Sequence, residues 1–247
     1  MTTPILTLVG QRRLLLLQAA ADFFFLQNRR YPRSSALEWV GNRYQLAYLE
    51  RQLLHRGVFG QAEALGRLAK RCKGSDWQSR CLVVDGHNVQ ITVESALLGR
   101  PLLRANDGAL RDLAGQSAGF RVTEVSEMAL DMIFRFLEEY RPPHARFLFD
   151  APMSHSGLLA GRYRERLKAI GLAGEARAVP VPENEFPYAR CVIASSDQAV
   201  QEKAVQWLDL ANTVIDRAGS FQIAADFSSF SLSRHIDLYS WTDGELF

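Results

Sequence analysis

Three short apolar runs, each ending in an acid, constrain this 247-residue chain more than any other feature. They are Cys81-Leu82-Val83-Val84-Asp85, Arg146-Phe147-Leu148-Phe149-Asp150 and Cys191-Val192-Ile193-Ala194-Ser195-Ser196-Asp197. Apolar runs of this length, bounded by turn residues, read as strands buried on both faces, the kind that parallel sheets are made of. Sites in open α/β sheets lie outside the carboxyl ends of the strands. A parallel sheet would therefore gather Asp85, Asp150 and Asp197 at one edge.

Amphipathic helices alternate with these runs. Leu130, Ile133, Phe134 and Leu137 form a helical face that ends before Pro142-Pro143, and Leu159, Tyr163, Leu167 and Ile170 form another, closed by Gly171. Ala176–Val181 reads as a third strand and Cys191–Ala194 as a fourth. Val200, Ala204 and Leu208 mark a helix, and Thr213–Asp216 a fifth strand whose Asp216 is a further candidate for the acidic edge. This βαβ rhythm predicts an α/β domain over residues 80–247, a parallel sheet flanked by helices. An insertion between Leu97 and Arg121 is compatible with a hairpin or with a loop over the site. The tail from Phe221 is rich in aromatics and serine and shows no pattern that assigns it.

The first 73 residues read as a small all-helical domain. Leu14, Leu17, Ala21, Phe24 and Phe25 recur at helical spacing, and Pro32 interrupts them. Ser35 with Glu38 predicts a capping box opening a helix through Val40, with Gly41-Asn42 as its stop. Leu46, Leu49 and Leu53 mark the next helix, Gln61–Cys72 another, and Lys73-Gly74-Ser75-Asp76 the domain boundary. Residues 1–80 hold 13 Lys/Arg against 5 Asp/Glu, whereas residues 81–247 hold 16 against 22. A basic module beside an acidic one suits a polyanion meeting a cation-loaded site, and Arg29, Arg30, Arg33 and Arg43 are the candidates to hold an RNA backbone. The plain alternative is that arginine-rich helices simply solvate well.

Three carboxylates at one edge repel and raise one another's pKa, a conflict that a hard divalent cation such as Mg²⁺ or Mn²⁺ resolves. Each acid also has an ordinary structural reading: Asp85 in an Asx-type turn, Asp150 as a strand stop, Asp197 or Ser196 as a helix N-cap. Asn88, three residues past Asp85, is placed to orient that aspartate or to bind a phosphate oxygen.

The residues carry a family resemblance. Asp85-Gly86-His87-Asn88 is similar to the D-G-x-N opening of PIN-like nucleases, in particular the NYN branch. Phe149-Asp150 resembles the acid after that family's second strand, and Ser195-Ser196-Asp197 its [ST]-x-D signature. The match covers about residues 80–218. It implies a PIN-like (Rossmann-like) sheet and metal-dependent hydrolysis of RNA phosphodiesters. Asp85, Asp150 and Asp197 would ligate the metal, Asn88 would support Asp85, and Ser195 would brace the site. Gln198 and Ala199 stand where many members carry a further acid, so Glu94, Asp107 and Asp112 are the candidates to replace it. Without that acid, the same fold is compatible with a non-catalytic RNA-binding or regulatory module. Arg30-Tyr31-Pro32, the run Val40–Leu46 and Arg56-Gly57-Val58 resemble an uncharacterised helical domain of prokaryotes, over about residues 10–60, which brings no activity with it. Gly41-Asn42 and the helix after it are compatible with a helix-turn-helix presenting Arg43 and Tyr44, or with a helical hairpin packed on the α/β domain.

Ser154-His155-Ser156-Gly157 precedes a helix and is compatible with phosphate binding at its N-terminus, or with capping by Ser154 or Ser156. His155 is the first candidate for a general acid and His87 the second; His55, His144 and His235 read as surface or packing residues. Zinc-protease, P-loop, dinucleotide and serine-hydrolase patterns are absent from the sequence. A phosphatase with Asp85 as covalent nucleophile is disfavoured because His87 holds the place of the usual second acid. Cys72, Cys81 and Cys191 are too few and too scattered for a disulfide framework, so a reducing, cytoplasmic setting is expected. Leu14–Leu26 is interrupted by Gln18 and Asp22 and is shorter than the roughly 20 residues of a membrane helix. Neither secretion nor a membrane partner is expected, and a homo-oligomer is left open.

Overall fold

The computed structural model describes residues 11–113, 121–219 and 221–231. The chain opens with α1 (Gln11–Asn28), α2 (Arg33–Arg43), α3 (Tyr48–Gly57) and α4 (Gln61–Ala69). Pro32 is the N-cap of α2, so the proline that ends the first pattern also starts the next helix. The expected Ser35–Glu38 capping box does not form, because α2 begins at Arg33. Nor do Gly41-Asn42 stop it. Gly41 is helical, and its missing Cβ admits the Arg51 side chain, whose Nη1 would lie 2.0 Å from such a carbon. Half of such a box forms at α3, where the N-cap Ala47 has no side-chain acceptor but its backbone N–H donates to Glu50 Oε2 at 2.7 Å.

The remaining elements are β1 (Leu82–Asp85), α5 (Gly86–Leu97), β2 (Leu102–Arg104), β3 (Leu110–Asp112), α6 (Glu124–Tyr140), β4 (Ala145–Asp150), α7 (Ser156–Ala169) and β5 (Gly174–Val179). They continue with β6 (Val192–Ala194), α8 (Gln198–Lys203), β7 (Trp207–Leu208), α9 (Leu210–Ala218) and β8 (Ile223–Asp226). Five strands form a parallel sheet in the order β5-β4-β1-β6-β7. From the central β1 the chain steps outward through β4 to β5, then returns to the other side for β6 and β7. The direction of winding thus reverses between β1 and β6, the place where α/β sheets form their crevice. Phe134, Phe147, Phe149 and Tyr163 pack ring against ring between the sheet and helices α6 and α7.

The register has a chemical consequence. Leu82 lies beside Val192, so the preceding residues, Cys81 and Cys191, also lie side by side, with Cα atoms 4.9 Å apart and their sulfurs bonded. The expectation of unpaired cysteines is corrected here for these two, while Cys72 is free and buried.

Residues 213–216, expected as a strand, are helical. Asp209 caps α9, and Leu210, Ala211, Val214 and Ile215 bury one helical face. The fifth strand is the two-residue β7 just before it. The insertion is a hairpin: β2 pairs antiparallel with β3, and β8 from the tail adds in parallel to the other edge of β2. Its residues 114–120, together with the tail beyond Ser231 and thus His235, lie outside the described residues.

The N-terminal helices close their core with these additions. Leu103 and Ala105 from the hairpin, and Phe227 and Phe230 from the tail, join Phe23, Phe24, Leu53 and Leu54 in one apolar cluster. Among the described residues no helix is long and apolar enough to cross a membrane.

Candidate acidic site at the sheet edge

Asp85 ends the central strand and caps the helix that follows. Its Oδ1 accepts the Asn88 N–H at 3.3 Å, and its Oδ2 accepts the Ser195 hydroxyl at 2.9 Å. Only 6% of the residue is exposed. Burial pushes its carboxyl up to about 7; the Ser195 and Asn88 hydrogen bonds pull the other way, and Asp150 and Glu183 push further up. The cause is the one expected of an acid in a poorly solvated pocket with like charges beside it.

The β6 loop is tied to Asp85 by its own polar groups. Ser195 Oγ, while donating to Asp85, accepts the Asp197 N–H at 3.1 Å. Asn88 Oδ1 accepts both the backbone N–H and the hydroxyl of Ser196, at 2.8 and 3.1 Å. The Asn88 side chain therefore acts across the β1–β6 crevice, while its backbone N–H holds Asp85. Asp197 is exposed and caps α8, its Oδ1 accepting the Val200 N–H at 3.0 Å.

Asp150 stands on the other side of Asp85, at the end of β4. Its backbone N–H donates to His87 Nδ1 at 3.0 Å, which places the ring proton on Nε2, and its Oδ2 lies 3.4 Å from the same nitrogen. His87 is fully buried with its edge against Phe149. Gly86 is required by that packing, since a Cβ there would come within 2.4 Å of the Phe149 ring. Asp85 and Asp150 thus meet electrostatically and Asp197 stands at the rim, but the three do not form a ready-made cage. Among the described residues no three His, Cys, Asp or Glu side chains converge on a common metal position.

The substitute acids lie elsewhere. Glu94 faces inward from α5, where Gln90 Nε2 donates to it at 2.8 Å, and burial raises its carboxyl. The Gln90 oxygen takes the Tyr163 hydroxyl at 2.6 Å. Asp107 is gripped by Arg111 through both oxygens, at 2.8 and 2.9 Å, and by Arg67 Nε at 2.9 Å. Asp112 is buried in β3, 3.4 Å from the Thr92 hydroxyl. Asp216 lies in α9 and accepts from the Asn212 amide at 2.8 Å.

Two acids that the sequence reading passed over obey its own rule. Glu183 follows the third strand, and burial and the Glu183, Asp197 and Asp85 charges all raise the Tyr188 hydroxyl, so these groups share one neighbourhood. Asp209 follows β7, accepts the Leu110 N–H at 2.8 Å, and is raised by burial. Both are acids at strand ends, hidden by a proline-flanked turn and a two-residue strand respectively.

The other candidates resolve simply. His155 is the N-cap of α7 in left-handed backbone at φ 63°, without a side-chain cap bond, and Ser156 donates back to the Ala151 carbonyl at 3.3 Å. Neither that serine nor exposed Ser154 holds the cap position. Arg33 is not available to RNA, since its guanidinium caps the end of α3 through the carbonyls of His55 and Val58 and lies between the rings of Phe23 and Phe59. Burial lowers its pKa to about 10. Arg43 is exposed, 3.6 Å from Asp22, and Arg29 and Arg30 are exposed at the end of α1.

A family model described as Domain of unknown function (DUF5616) matches residues 75–213, and one described as Protein of unknown function (DUF434) matches residues 15–70. The Uncharacterized protein MJ0935 of Methanocaldococcus jannaschii is 28% identical over 191 residues, which span 77% of this chain and 91% of that protein. No solved structure matches.

Proposed function

The chain belongs to the family described as Domain of unknown function (DUF5616), and from that premise we propose that it is a PIN-like, metal-dependent hydrolase of RNA phosphodiester bonds acting at the Asp85 edge. One observation carries the reading. A carboxyl group at the switch point of the sheet is buried, held near neutrality at about 7, and faced by Asp150 and Glu183. Carboxyl groups shifted in this way, at a cost in stability, concentrate at functional sites.

The donors fit a hard cation of a particular kind. Mg²⁺ and Mn²⁺ bind through one or two carboxylates, with water and substrate phosphate completing the sphere. Asp85 and Asp150 would supply those carboxylates, with Asp197 at the rim for an outer contact. When bound, such an ion neutralises charge on the phosphate and lowers the pKa of an attacking water. The protein's own part is orientation: Ser195 and the Asn88 N–H fix the Asp85 carboxylate, and Asn88 holds the Ser196 backbone against it. The Asp85 carboxyl, titrating near neutrality, can also hold a proton at the edge of the crevice.

The test is cleavage of a 5′-labelled oligoribonucleotide in Mn²⁺ and in Mg²⁺. Cleavage is expected with metal, to be lost in excess chelator, and to fall by on the order of a hundredfold or more in Asp85→Asn, since even outer partners of metal ligands cost 10–100-fold. Full cleavage in that variant or in chelator overturns the reading. A second reading, compatible with two rather than three converging acids among the described residues, is an RNA-binding module without turnover. Titration calorimetry with Mn²⁺ beside the cleavage assay separates the two, because the second reading expects RNA to be bound and left intact.

A further inference from the structure

The N-terminal helices carry an exposed surface that the acidic edge does not use. Among the described residues Phe25, Tyr31 and Trp39 are left 54%, 43% and 53% exposed, large values for aromatic side chains. Arg29 lies over the Phe25 ring at 4.6 Å, and Tyr31 meets Trp39 edge to face at 5.9 Å. Among the described residues neither Arg29 nor Arg30 is paired with a carboxylate, whereas Arg12, Arg43 and Arg67 are.

The backbone at this corner is held in an uncommon way. Arg30 sits at φ 59°, with its N–H bonded to the Gln27 carbonyl at 2.9 Å and the Tyr31 N–H bonded to the Leu26 carbonyl at 3.1 Å. This is the helix ending in which glycine normally occupies the left-handed position. An arginine there gives up local stability and gains an exposed cation between Arg29 and Tyr31, and such exceptions concentrate at functional surfaces.

We propose that Phe25, Arg29, Arg30, Tyr31 and Trp39 form a docking surface for single-stranded RNA, which stacks its bases on the rings and sets its phosphates against the two arginines. Flat rings accept any base, and flanking guanidiniums supply the backbone charge, which is the chemistry of sequence-tolerant single-strand binding. The surplus of basic residues in the first 80 residues matches a polyanion and sits poorly with a basic or neutral protein partner. The proposal deepens the hydrolase reading by naming the form of its substrate, and it rests on that reading only for the fate of the bound strand.

The test uses the full chain in chelator, so that binding is read without turnover. The probe is a fluorescent oligouridylate of about 12 nucleotides, beside the same length of RNA in duplex form. The single strand is expected to bind more tightly than the duplex and to quench Trp39 emission, a signal lost in Trp39→Phe, in which stacking survives. Trp39→Ala or Tyr31→Ala should weaken binding roughly tenfold. Arg29→Gln with Arg30→Gln should flatten the salt dependence by about 1.4 units of log–log slope. Arg30→Gly should weaken binding while raising the melting temperature, a split that a purely structural arginine would not produce. Equal affinity for duplex, or unchanged affinity in Trp39→Ala, overturns the surface while leaving the Asp85 chemistry standing. Tight, Trp39-dependent binding with no cleavage in Mn²⁺ overturns the hydrolase and leaves the surface. Absence of RNA binding together with self-association lost in Trp39→Ala assigns the face to a second copy and overturns the proposal.

Discussion

Two buried polar clusters in this protein are treated in opposite ways. At the sheet edge, Asp85 has two neutral hydrogen-bond donors and two acidic neighbours, and its carboxyl is pushed up to about 7. In the seam between α4 and the hairpin, Asp107 is just as buried, but two arginines hold it; burial pushes its carboxyl up, and Arg111 and Arg67 outweigh that and bring it below the ordinary range. The seam is nearly saturated, with Arg67 Nη2 a buried nitrogen that has no hydrogen-bond partner among the described residues. Arg111 also donates to the Ser196 carbonyl at 2.8 Å and Arg67 to Glu202 at 2.7 Å, so hairpin, helices and β6 loop are clamped together. Burial alone therefore does not set the direction of a carboxyl's shift; the presence or absence of a compensating charge does.

The largest effect should come from breaking the seam. Asp107→Asn leaves the charge of Arg111 uncompensated in the interior and Arg67 with Glu202 as its remaining carboxylate, and removal of one partner from a buried ion pair costs about 3–5 kcal/mol. For a chain of this length that is a fall in melting temperature of roughly 10 °C. Asp85→Asn should do the reverse, leaving stability at neutral pH equal or higher while removing the acid. Thermal and denaturant unfolding of the two variants side by side decide the matter, and equal losses in both would erase the contrast.

The next effect is the pH dependence of that difference. Between the ordinary aspartate value near 4 and about 7, the folded chain keeps a proton on Asp85 that the unfolded chain has released. Its contribution is therefore full below about pH 4 and is lost as pH rises to about 7, at up to ~1.4 kcal/mol per pH unit. Asp209 and Glu94, also raised by burial, add to the same limb. Asp107 has the opposite sign: its lowered value contributes stability above its unfolded pKa that disappears as pH falls through the folded one. The stability advantage of Asp85→Asn over the parent should thus be near zero at pH 4 and grow towards pH 7. A gap that stays constant across that range would show that Asp85 ionises as an exposed acid does.

This contrast also explains which parts of the molecule the sequence displayed. The strands β1, β4 and β6 were legible because they are buried on both faces and end in acids, and α6 and α7 because their apolar faces repeat over several turns. The outermost strand, β7, was not. A two-residue strand has no periodicity, and the Thr213–Asp216 run, apolar and β-branched in part, is helical because Asp209 caps it and Val214 and Ile215 fall on a buried helical face. The Cys81–Cys191 bond depended on knowing which strands are neighbours, and that is a property of topology rather than of local pattern. Arg33 and Asp107 show the same limit. Composition marks them as charged, but only tertiary contacts reveal that one caps a helix and the other anchors a seam. For the same reason Glu183 was passed over, since its approach to Asp85 arises from the fold of the proline-flanked turn.

The smallest effect concerns Asn88, where the two kinds of cluster meet. Its Oδ1 takes two hydrogen bonds from Ser196, whose carbonyl is in turn held by Arg111. Asn88→Ala removes the acceptor and should cost about 1–2 kcal/mol, the penalty for a partly buried donor left without its partner. Its backbone N–H still reaches Asp85, so the pH limb should keep its position. Asn88→Asp keeps the acceptor and adds a negative charge beside the crevice, so it should preserve the melting temperature at low pH while moving the end of the limb to higher pH. Measuring unfolding of both variants from pH 4 to 8 separates hydrogen bonding from charge at this one position. If Asn88→Asp leaves the limb where it is, the crevice is solvated well enough to screen an added carboxylate, and the account of Asp85 as an undercompensated buried acid fails with it.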